Sequence, residues 1–74
     1  MSKQLESIMD NYFNGNLKDA KKKAQRASLG TLVDHLVEDR QWRKGNAYEV
    51  ARYLKGADNF QQAADATANE QASQ

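Results

Sequence analysis

Apolar residues recur along this chain at helical spacing, not in the alternation that marks a β-strand. In the first segment they stand at i, i+3, i+4, i+7 and i+8: Leu5, Ile8, Met9, Tyr12 and Phe13. This set forms one face of an amphipathic helix. The segment predicts a helix that Ser2 caps at its start and Asn14-Gly15 ends, because a glycine after the last turn readily adopts the left-handed conformation.

Two further helices are predicted in the next segments. Asn16 caps the first of them, and its apolar stripe is made mostly of small side chains: Leu17, Ala20, Ala24 and Ala27. Small side chains let a neighbouring helix approach closely, so we expect a tightly packed spacer helix. Ser28 or Thr31 opens a third helix, which ends near Arg40. Its apolar positions repeat the spacing of the first helix: Leu29, Leu32, Val33, Leu36 and Val37.

The pattern over residues 42–74 predicts two more helices and a tail. After a turn at residues 42–45, Asn46 and Glu49 have the spacing of a capping box, and Gly56 marks the stop of a fourth helix. Its inner stripe is Ala47, Val50, Ala51 and Leu54. Asp58 or Asn59 caps a short fifth helix whose inward residues are Phe60, Ala63 and Ala64. Residues 67–74 are mostly polar, and we expect them to form a frayed, disordered tail.

These segments predict an all-α fold: a compact bundle of about four to five short helices, in a single domain over residues 1–66. Helices this short are marginal in isolation, so packing between them must stabilise the fold. The predicted core consists of the larger apolar side chains on the inner faces: Ile8, Phe13, Leu29, Leu32, Val33, Leu36, Trp42, Val50, Leu54 and Phe60.

Composition excludes several classes of protein. The chain has no cysteine and one histidine, which excludes disulfides and argues against a structural zinc site. No apolar run approaches the ~20 residues of a membrane-spanning helix, and acidic residues stand near the N-terminus, where a signal peptide is apolar. We therefore expect a cytoplasmic protein with no membrane segment, metal or cofactor. A domain of this size has a small core, which a protein partner or a second copy often supplements.

The charges are segregated along the chain, although the net charge is only +1. Residues 16–28 sum to +4, residues 29–39 to −3 and residues 40–55 to +4. On the second predicted helix, Lys18, Lys22 and Arg26 follow one another at i+4 steps, and Lys21 and Lys23 lie beside them. We interpret this strip first as a solvated face, which any amphipathic helix has, balanced by the acidic third helix. Contact with an acidic protein or with phosphates is the alternative.

Residues 31–56 have the outline of a helix-turn-helix, whose second helix enters the major groove of DNA. The fourth helix offers few base-reading side chains, and two helices joined by a turn occur in most small helical domains. We therefore favour a structural role. Trp42, in its basic turn, could stack on a base, but we favour an indole that folds back onto the core. Tyr48 and Tyr53 lie off the inner stripe, so we expect them at an interface.

His35 and Asp39 stand four residues apart at the edge of the third helix's apolar face. This spacing suits an ion pair on the helix surface. No motif places a nucleophile, a glycine-rich phosphate loop, paired catalytic carboxylates or a metal-ligand cluster in this sequence. We therefore expect no enzymatic activity and no catalytic residue.

Two stretches carry a resemblance: YFNGNLKDAKKKAQR over residues 12–26 and YLKGADNFQQAADA over residues 53–66. Together they are similar to a type of short protein encoded on bacteriophages, prophages and plasmids, over most of the chain between residues 11 and 66. Those proteins have no assigned activity, so the resemblance carries over no functional residue. It implies an accessory gene of a mobile element, whose product often binds a host or rival protein.

These features favour a non-enzymatic accessory protein that binds a protein partner, in particular an acidic one. Inhibition of a host defence system, an anti-CRISPR type of role, is one concrete form, and a homodimer is a subsidiary hypothesis. The predicted partner-binding residues are Lys18, Lys21, Lys22, Arg26, Arg43, Lys44, Tyr48, Arg52 and Tyr53. The alternative is nucleic-acid binding by the basic residues of this set together with Lys23, which requires both basic segments to converge on one face.

Overall fold

The computed structural model describes residues 3–72, which form five α-helices and no β-strand. The helices are α1 (Lys3–Phe13), α2 (Leu17–Ala24), α3 (Leu29–Asp34), α4 (Lys44–Leu54) and α5 (Phe60–Ala72). A π-helical turn, His35–Asp39, continues α3 directly. The predicted all-α fold is confirmed, whereas Ser2, the predicted cap of the first helix, lies outside the described residues.

The central helix of the bundle is α4. It packs against α5, α3, the π-helical turn and α2, while α1 lies mainly against α2. The Cα atoms have a radius of gyration of 10.8 Å, close to the ~11 Å expected of a folded chain of this length. The predicted compact bundle is confirmed.

Two glycines end helices as the sequence predicts. Gly15 has a φ of 84° and Gly56 a φ of 109°, a conformation that side chains with a Cβ rarely adopt. The N–H of the residue after each glycine donates to a carbonyl five residues back. Asn16 donates to Asn11 at 2.8 Å, and Ala57 donates to Arg52 at 3.0 Å. These bonds belong to Schellman motifs, which occupy carbonyls that a helix C-terminus would otherwise leave without a partner.

The predicted helix starts are confirmed only in part. Ser28 Oγ accepts a hydrogen bond from the Thr31 N–H at 3.1 Å, which makes it the N-cap of α3. Asn16 precedes α2, but its side chain makes no capping hydrogen bond. The capping box predicted at Asn46 is wrong because α4 begins earlier, at Lys44. Asn46 therefore lies in the first turn, and its side chain reaches α5 instead.

A strained residue stands two positions after the π-helical turn. Gln41 has a φ of 61°, the left-handed region that disfavours any residue with a Cβ, by roughly 1–2 kcal/mol. The next residue closes the turn, since the Trp42 N–H donates to the Leu36 carbonyl at 3.0 Å. The indole of Trp42 is buried, so the strained residue directs a large side chain into the core.

Replacing Gln41 with glycine is expected to raise the free energy of unfolding by about 1 kcal/mol, because glycine adopts positive φ without the Cβ clash but loses more chain entropy. Thermal unfolding followed by circular dichroism measures the change, as a rise in Tm of about 4–8 °C for a chain of this size. Gln41→Ala keeps the Cβ and is the control, with little change expected. An unchanged Tm in Gln41→Gly would show that this backbone is not strained.

The core draws side chains from all the helices and from the π-helical turn. Its largest fully buried side chains are Ile8, Met9, Leu32, Leu36, Val50 and Leu54. Two predicted core residues, Phe13 and Leu29, are only partly buried and pack against its edge. The prediction that Phe60 belongs to the core is wrong, since this residue is 46% exposed. It opens α5, and its ring contacts that of Tyr53, with the centroids 5.3 Å apart and the planes tilted by 57°.

The predicted tail from Thr67 is also corrected, because α5 continues through Ala72. Ala63, Ala66 and Glu70 lie on the buried face of this helix. The hydroxyl of Thr67 lies 2.8 Å from that of Tyr12, which joins α5 to α1. The sequence pattern missed this extension because its buried positions are alanines and a glutamate, residues that do not read as an apolar stripe. The helical domain therefore reaches at least to Ala72.

Candidate functional site

The outward side of α2 is basic. Ala20 and Ala24 are buried against the neighbouring helices, whereas Lys18, Lys22 and Arg26 are exposed. Within residues 3–72, no carboxylate oxygen lies within 4.0 Å of any of these three cations. The acidic residues of α3 and the π-helical turn therefore do not neutralise this face by direct ion pairs. We call these three residues the α2 basic face.

Two other lysines of α2 have partners inside the fold. Lys21 Nζ lies 4.2 Å from the centroid of the Tyr53 ring, a cation–π contact. Lys23 Nζ donates to Ser7 Oγ at 2.9 Å, which joins α2 to α1. Both lysines also stand in the last turn of α2, where the helix dipole favours cations. These contacts fix the orientation of α2 and hence of its basic face.

Lys55 has an internal role that the sequence did not reveal. Its Nζ donates to the carbonyls of Ala24 at 3.3 Å and Ala27 at 2.7 Å, so it caps the C-terminal end of α2. Gln25 Nε2 donates in the opposite direction, to the Leu54 carbonyl at 3.4 Å. The C-terminal ends of α2 and α4 are therefore joined. Lys55, one of the cations of the basic segment at residues 40–55, therefore has its partners within the fold.

The other basic residues of the second segment lie elsewhere. Arg43 and Lys44 stand at the N-terminal end of α4, about 16 Å from Leu54 at its other end, since a helical residue advances about 1.5 Å. Arg52 lies beside Tyr48, with its guanidinium 5.6 Å from that ring. Around α4, Arg52 stands about 100° and Tyr48 about 140° from Tyr53. The structure thus brings Lys21 and Tyr53 together but spreads the predicted partner-binding residues over several surfaces.

Tyr48 and Tyr53 have different environments. Tyr48 is 44% exposed, whereas Tyr53 is only 6% exposed, so its predicted place at an interface is wrong. The physical reason is the central position of α4, which has helices on several sides and therefore buries more of its circumference than one stripe. The Tyr53 ring lies 6.3 Å from that of Tyr12 and 5.3 Å from that of Phe60.

Trp42 folds back onto the core, which is the interpretation that the sequence favoured. It is buried, and its ring centroid lies 6.1 Å from that of Phe13. Arg40 covers the other side of this cluster, with its guanidinium 4.8 Å from the Phe13 ring and 3.8 Å from an Asp10 carboxylate oxygen. The indole is therefore not presented for stacking on a base.

His35 forms the predicted pair with Asp39, since Nδ1 lies 2.7 Å from the Asp39 carboxylate. The expectation that this pair lies on the helix surface is half wrong, because the histidine side chain is only 1% exposed. The buried face is centred on Leu32 and Leu36, and His35 lies on the same side about 60° from Leu32. Its Nε2 is buried without a hydrogen-bond partner in residues 3–72, and the imidazole packs the π-helical turn against the core, whereas Asp39 is exposed.

An open groove lies where α1, α2 and α5 meet. Its volume is about 250 Å³, and its lining residues are Tyr12, Phe13, Gly15, Leu17, Phe60, Ala64, Thr67, Ala68 and Gln71. None of these lining residues carries a charge at neutral pH. Burial raises the pKa of the Tyr12 hydroxyl, which also bonds to Thr67. We call this the α1/α2/α5 groove. No sequence motif predicts it, because its walls come from segments separated by more than forty residues.

The described residues define a small all-α bundle with a basic face on α2, which has no carboxylate within 4.0 Å of its cations, and an uncharged groove, which Leu17 of the same helix lines from another side. Within residues 3–72 no group of three or more His, Cys, Asp or Glu residues could hold a metal ion. In the same range, no helix is both long and apolar enough to cross a bilayer. No protein-family model, curated protein or solved structure matches this chain.

Proposed function

We propose that this chain is a non-enzymatic helical domain that binds an acidic surface of another protein through the α2 basic face. The proposal rests on the exposure of Lys18, Lys22 and Arg26 without a carboxylate within 4.0 Å in the described part of the chain. Ten acidic residues are present in the sequence, so a lack of carboxylates does not explain this. Asp19 is exposed beside Lys22 and Arg26, so cations outnumber carboxylates on this side of α2 without excluding them. A face with such an excess of one sign attracts a partner of the opposite sign and speeds their encounter.

The resemblance to phage, prophage and plasmid proteins supports a setting for this activity. We place the chain in the cytoplasm of a bacterial host, as the product of an accessory gene that acts on a host protein. Inhibition of a defence system is the concrete form we favour, because a small basic surface can block an acidic site without any chemistry of its own. Fast, electrostatically steered association suits an inhibitor of this kind.

Nucleic acid is the second candidate, since phosphates are also attracted to the α2 basic face. Two features favour a protein partner. The second helix of the helix-turn-helix outline, α4, is packed on several sides, whereas a recognition helix presents a long face to the major groove. One of its few base-reading side chains, the amide of Asn46, is bonded to Glu70 at 2.6 Å.

Lys22→Glu is expected to weaken capture of the partner by about tenfold, because it places a like charge opposite the acidic surface. The measurement uses each protein as bait in a nuclease-treated lysate of the bacterial host, with bound proteins quantified by mass spectrometry. Lys44→Glu is the matched control, with the same charge change at the distant end of α4, and it should retain the partner. A partner captured equally well by wild type and Lys22→Glu would contradict the role of α2.

The nucleic-acid alternative is tested on the same proteins with a labelled DNA duplex and a labelled RNA. Fluorescence anisotropy at about 50 and about 200 mM salt gives the dependence of affinity on salt. Contact with about four phosphates would give a log–log slope of about −3.6. That slope, reduced in Lys22→Glu, would replace the protein partner with nucleic acid, whereas no binding at the lower salt supports the protein partner.

A further inference from the structure

The α1/α2/α5 groove has the size of a recess for side chains and is too small for a cofactor. Its volume of about 250 Å³ is below the ~300–1,000 Å³ of typical small-molecule pockets. Its floor and walls are mainly apolar, with the half-exposed ring of Phe60 at one end. Exposed aromatic rings beside small recesses are typical of sites where one or two large side chains of a partner insert.

The shape of the groove suits a helix. Phe60, Ala64, Ala68 and Gln71 follow one side of α5 at helical spacing, over a length of about 16 Å. The small side chains of Ala64 and Ala68, together with Gly15, allow a fourth helix to approach closely. Three turns of a helix have the same length, so a partner helix would contact the groove through residues at i, i+4 and i+7.

The charges around the groove select the kind of helix. No lining residue is charged. Two lysines of α2 stand near the groove: Lys18 follows Leu17 in the chain, and Lys21 lies on the Tyr53 ring, which contacts Phe60. The carboxylate of α2, Asp19, lines a different depression with Lys22 and Arg26. The carboxylate of Asp65 lies on another side of α5, where it accepts a hydrogen bond from Gln61 at 2.9 Å. A helix whose apolar face is flanked by acidic residues therefore matches both the groove and the lysines of α2.

We propose that the α1/α2/α5 groove binds an acidic amphipathic helix of the partner protein, with one or two large apolar side chains inserted beside Phe60 and Leu17 and its carboxylates against Lys18 and Lys21 of α2. This inference rests on the proposed function, because it names the segment of the partner that α2 recognises. The groove supplies the apolar contacts that give affinity, and α2 supplies the charge contacts that select an acidic segment.

The test uses a synthetic amphipathic peptide of about 15 residues, with leucines at i, i+4 and i+7 and glutamates on both flanks of the leucine face. A second peptide has lysine in place of glutamate, and a third has serine in place of leucine. Fluorescence anisotropy measures binding, and two-dimensional NMR of the labelled protein locates it. We expect the acidic peptide to bind about tenfold more tightly than either control and to shift the amide signals of Leu17, Ala64 and Ala68.

Two matched variants separate the groove from simple charge attraction. Ala68→Arg places a long side chain in the groove, and Gln62→Arg adds the same charge on the opposite side of α5; both positions are exposed. Added positive charge alone would strengthen binding of an acidic peptide. We therefore expect Ala68→Arg to weaken binding about tenfold and Gln62→Arg to leave it unchanged or tighter. Thermal unfolding confirms that both variants fold.

The outcomes distinguish this inference from the proposed function. Equal binding to Ala68→Arg and Gln62→Arg would overturn the groove as the site. If capture of a partner from the host lysate still depended on Lys22, the proposed function would stand without the groove. If capture did not depend on Lys22 either, both the proposed function and this inference would be overturned. A dimer in sedimentation that Ala68→Arg dissociates would overturn the partner helix in favour of a second copy of this chain.

Discussion

Replacing Leu36 with alanine is expected to lower the free energy of unfolding by about 2–5 kcal/mol. The side chain is fully buried in the π-helical turn, and its backbone carbonyl accepts the bond that positions Trp42. A domain of this length has a total stability of only roughly 4–11 kcal/mol. The substitution leaves a cavity in a small core, which cannot relax to fill it. Chemical unfolding followed by circular dichroism or Trp42 fluorescence measures the change.

Leu29→Ala is the matched control for Leu36→Ala. It removes the same atoms from a leucine that lies at the edge of the core and is partly exposed. Because less apolar area is lost from the interior, the expected cost is about 1 kcal/mol. Similar losses in both variants would show that the core is centred nearer the start of α3 than the structure places it. A loss below about 1 kcal/mol in Leu36→Ala would contradict its burial.

The fold was predictable from sequence wherever a single segment determines the structure. The helical spacing of Leu5, Ile8 and Met9 indicates α1. The helix ends at Gly15 and Gly56 were predictable because they depend on the positive φ of the glycine itself and not on contacts with other helices. The predictions were wrong where contacts with another helix determine whether a residue is buried. The burial of Tyr53 and the exposure of Phe60 depend on which helices surround α4 and where α5 begins, and neither is encoded in local periodicity.

The candidate site likewise has one part that the sequence predicts and one part that it does not. The α2 basic face could be predicted because its residues repeat at i+4 along one helix, and their exposure follows from the alanines on the other side. The α1/α2/α5 groove could not be predicted, because it exists only when Leu17 and Ala68 meet in the folded chain. The burial of Glu70 was likewise missed, since a glutamate on an amphipathic helix is ordinarily placed on the solvent side.

Glu70 joins the end of α5 to the start of α4, and its loss should destabilise both. It is only 4% exposed. Its Oε2 accepts the Asn46 amide at 2.6 Å and the Arg43 backbone N–H at 3.0 Å. The Asn46 amide, and after it the Arg43 N–H, lower the pKa of the Glu70 carboxyl below its ordinary value of 4.5. Since the N-terminus of a helix favours negative charge, the carboxylate also stabilises α4.

The sign of the pH dependence follows from this lowered pKa. The unfolded chain binds a proton at Glu70 more readily than the folded chain, so acid favours unfolding. The contribution of Glu70 to stability is fully present above about pH 4.5 and is lost as the pH falls through the lower, folded-state pKa. We therefore expect Tm to fall more steeply with acid in wild type than in Glu70→Gln, which keeps an acceptor oxygen but cannot titrate.

Three substitutions at two positions test the role of Glu70. Glu70→Ala leaves the Asn46 amide and the Arg43 N–H without their acceptor, so at neutral pH its Tm should lie below that of Glu70→Gln, which in turn lies below wild type. Glu38→Gln makes the same charge change at an exposed position and should follow the wild-type dependence on acid. Thermal unfolding from neutral pH to below 4.5 measures the Tm of all these proteins.

If Glu70→Gln lost stability with acid as steeply as wild type, the carboxylate would not be the group that holds α5 against α4. Residues 67–72 would then owe their helical structure to Thr67 and the buried alanines alone, and Glu70→Ala should unfold at the same temperature as Glu70→Gln.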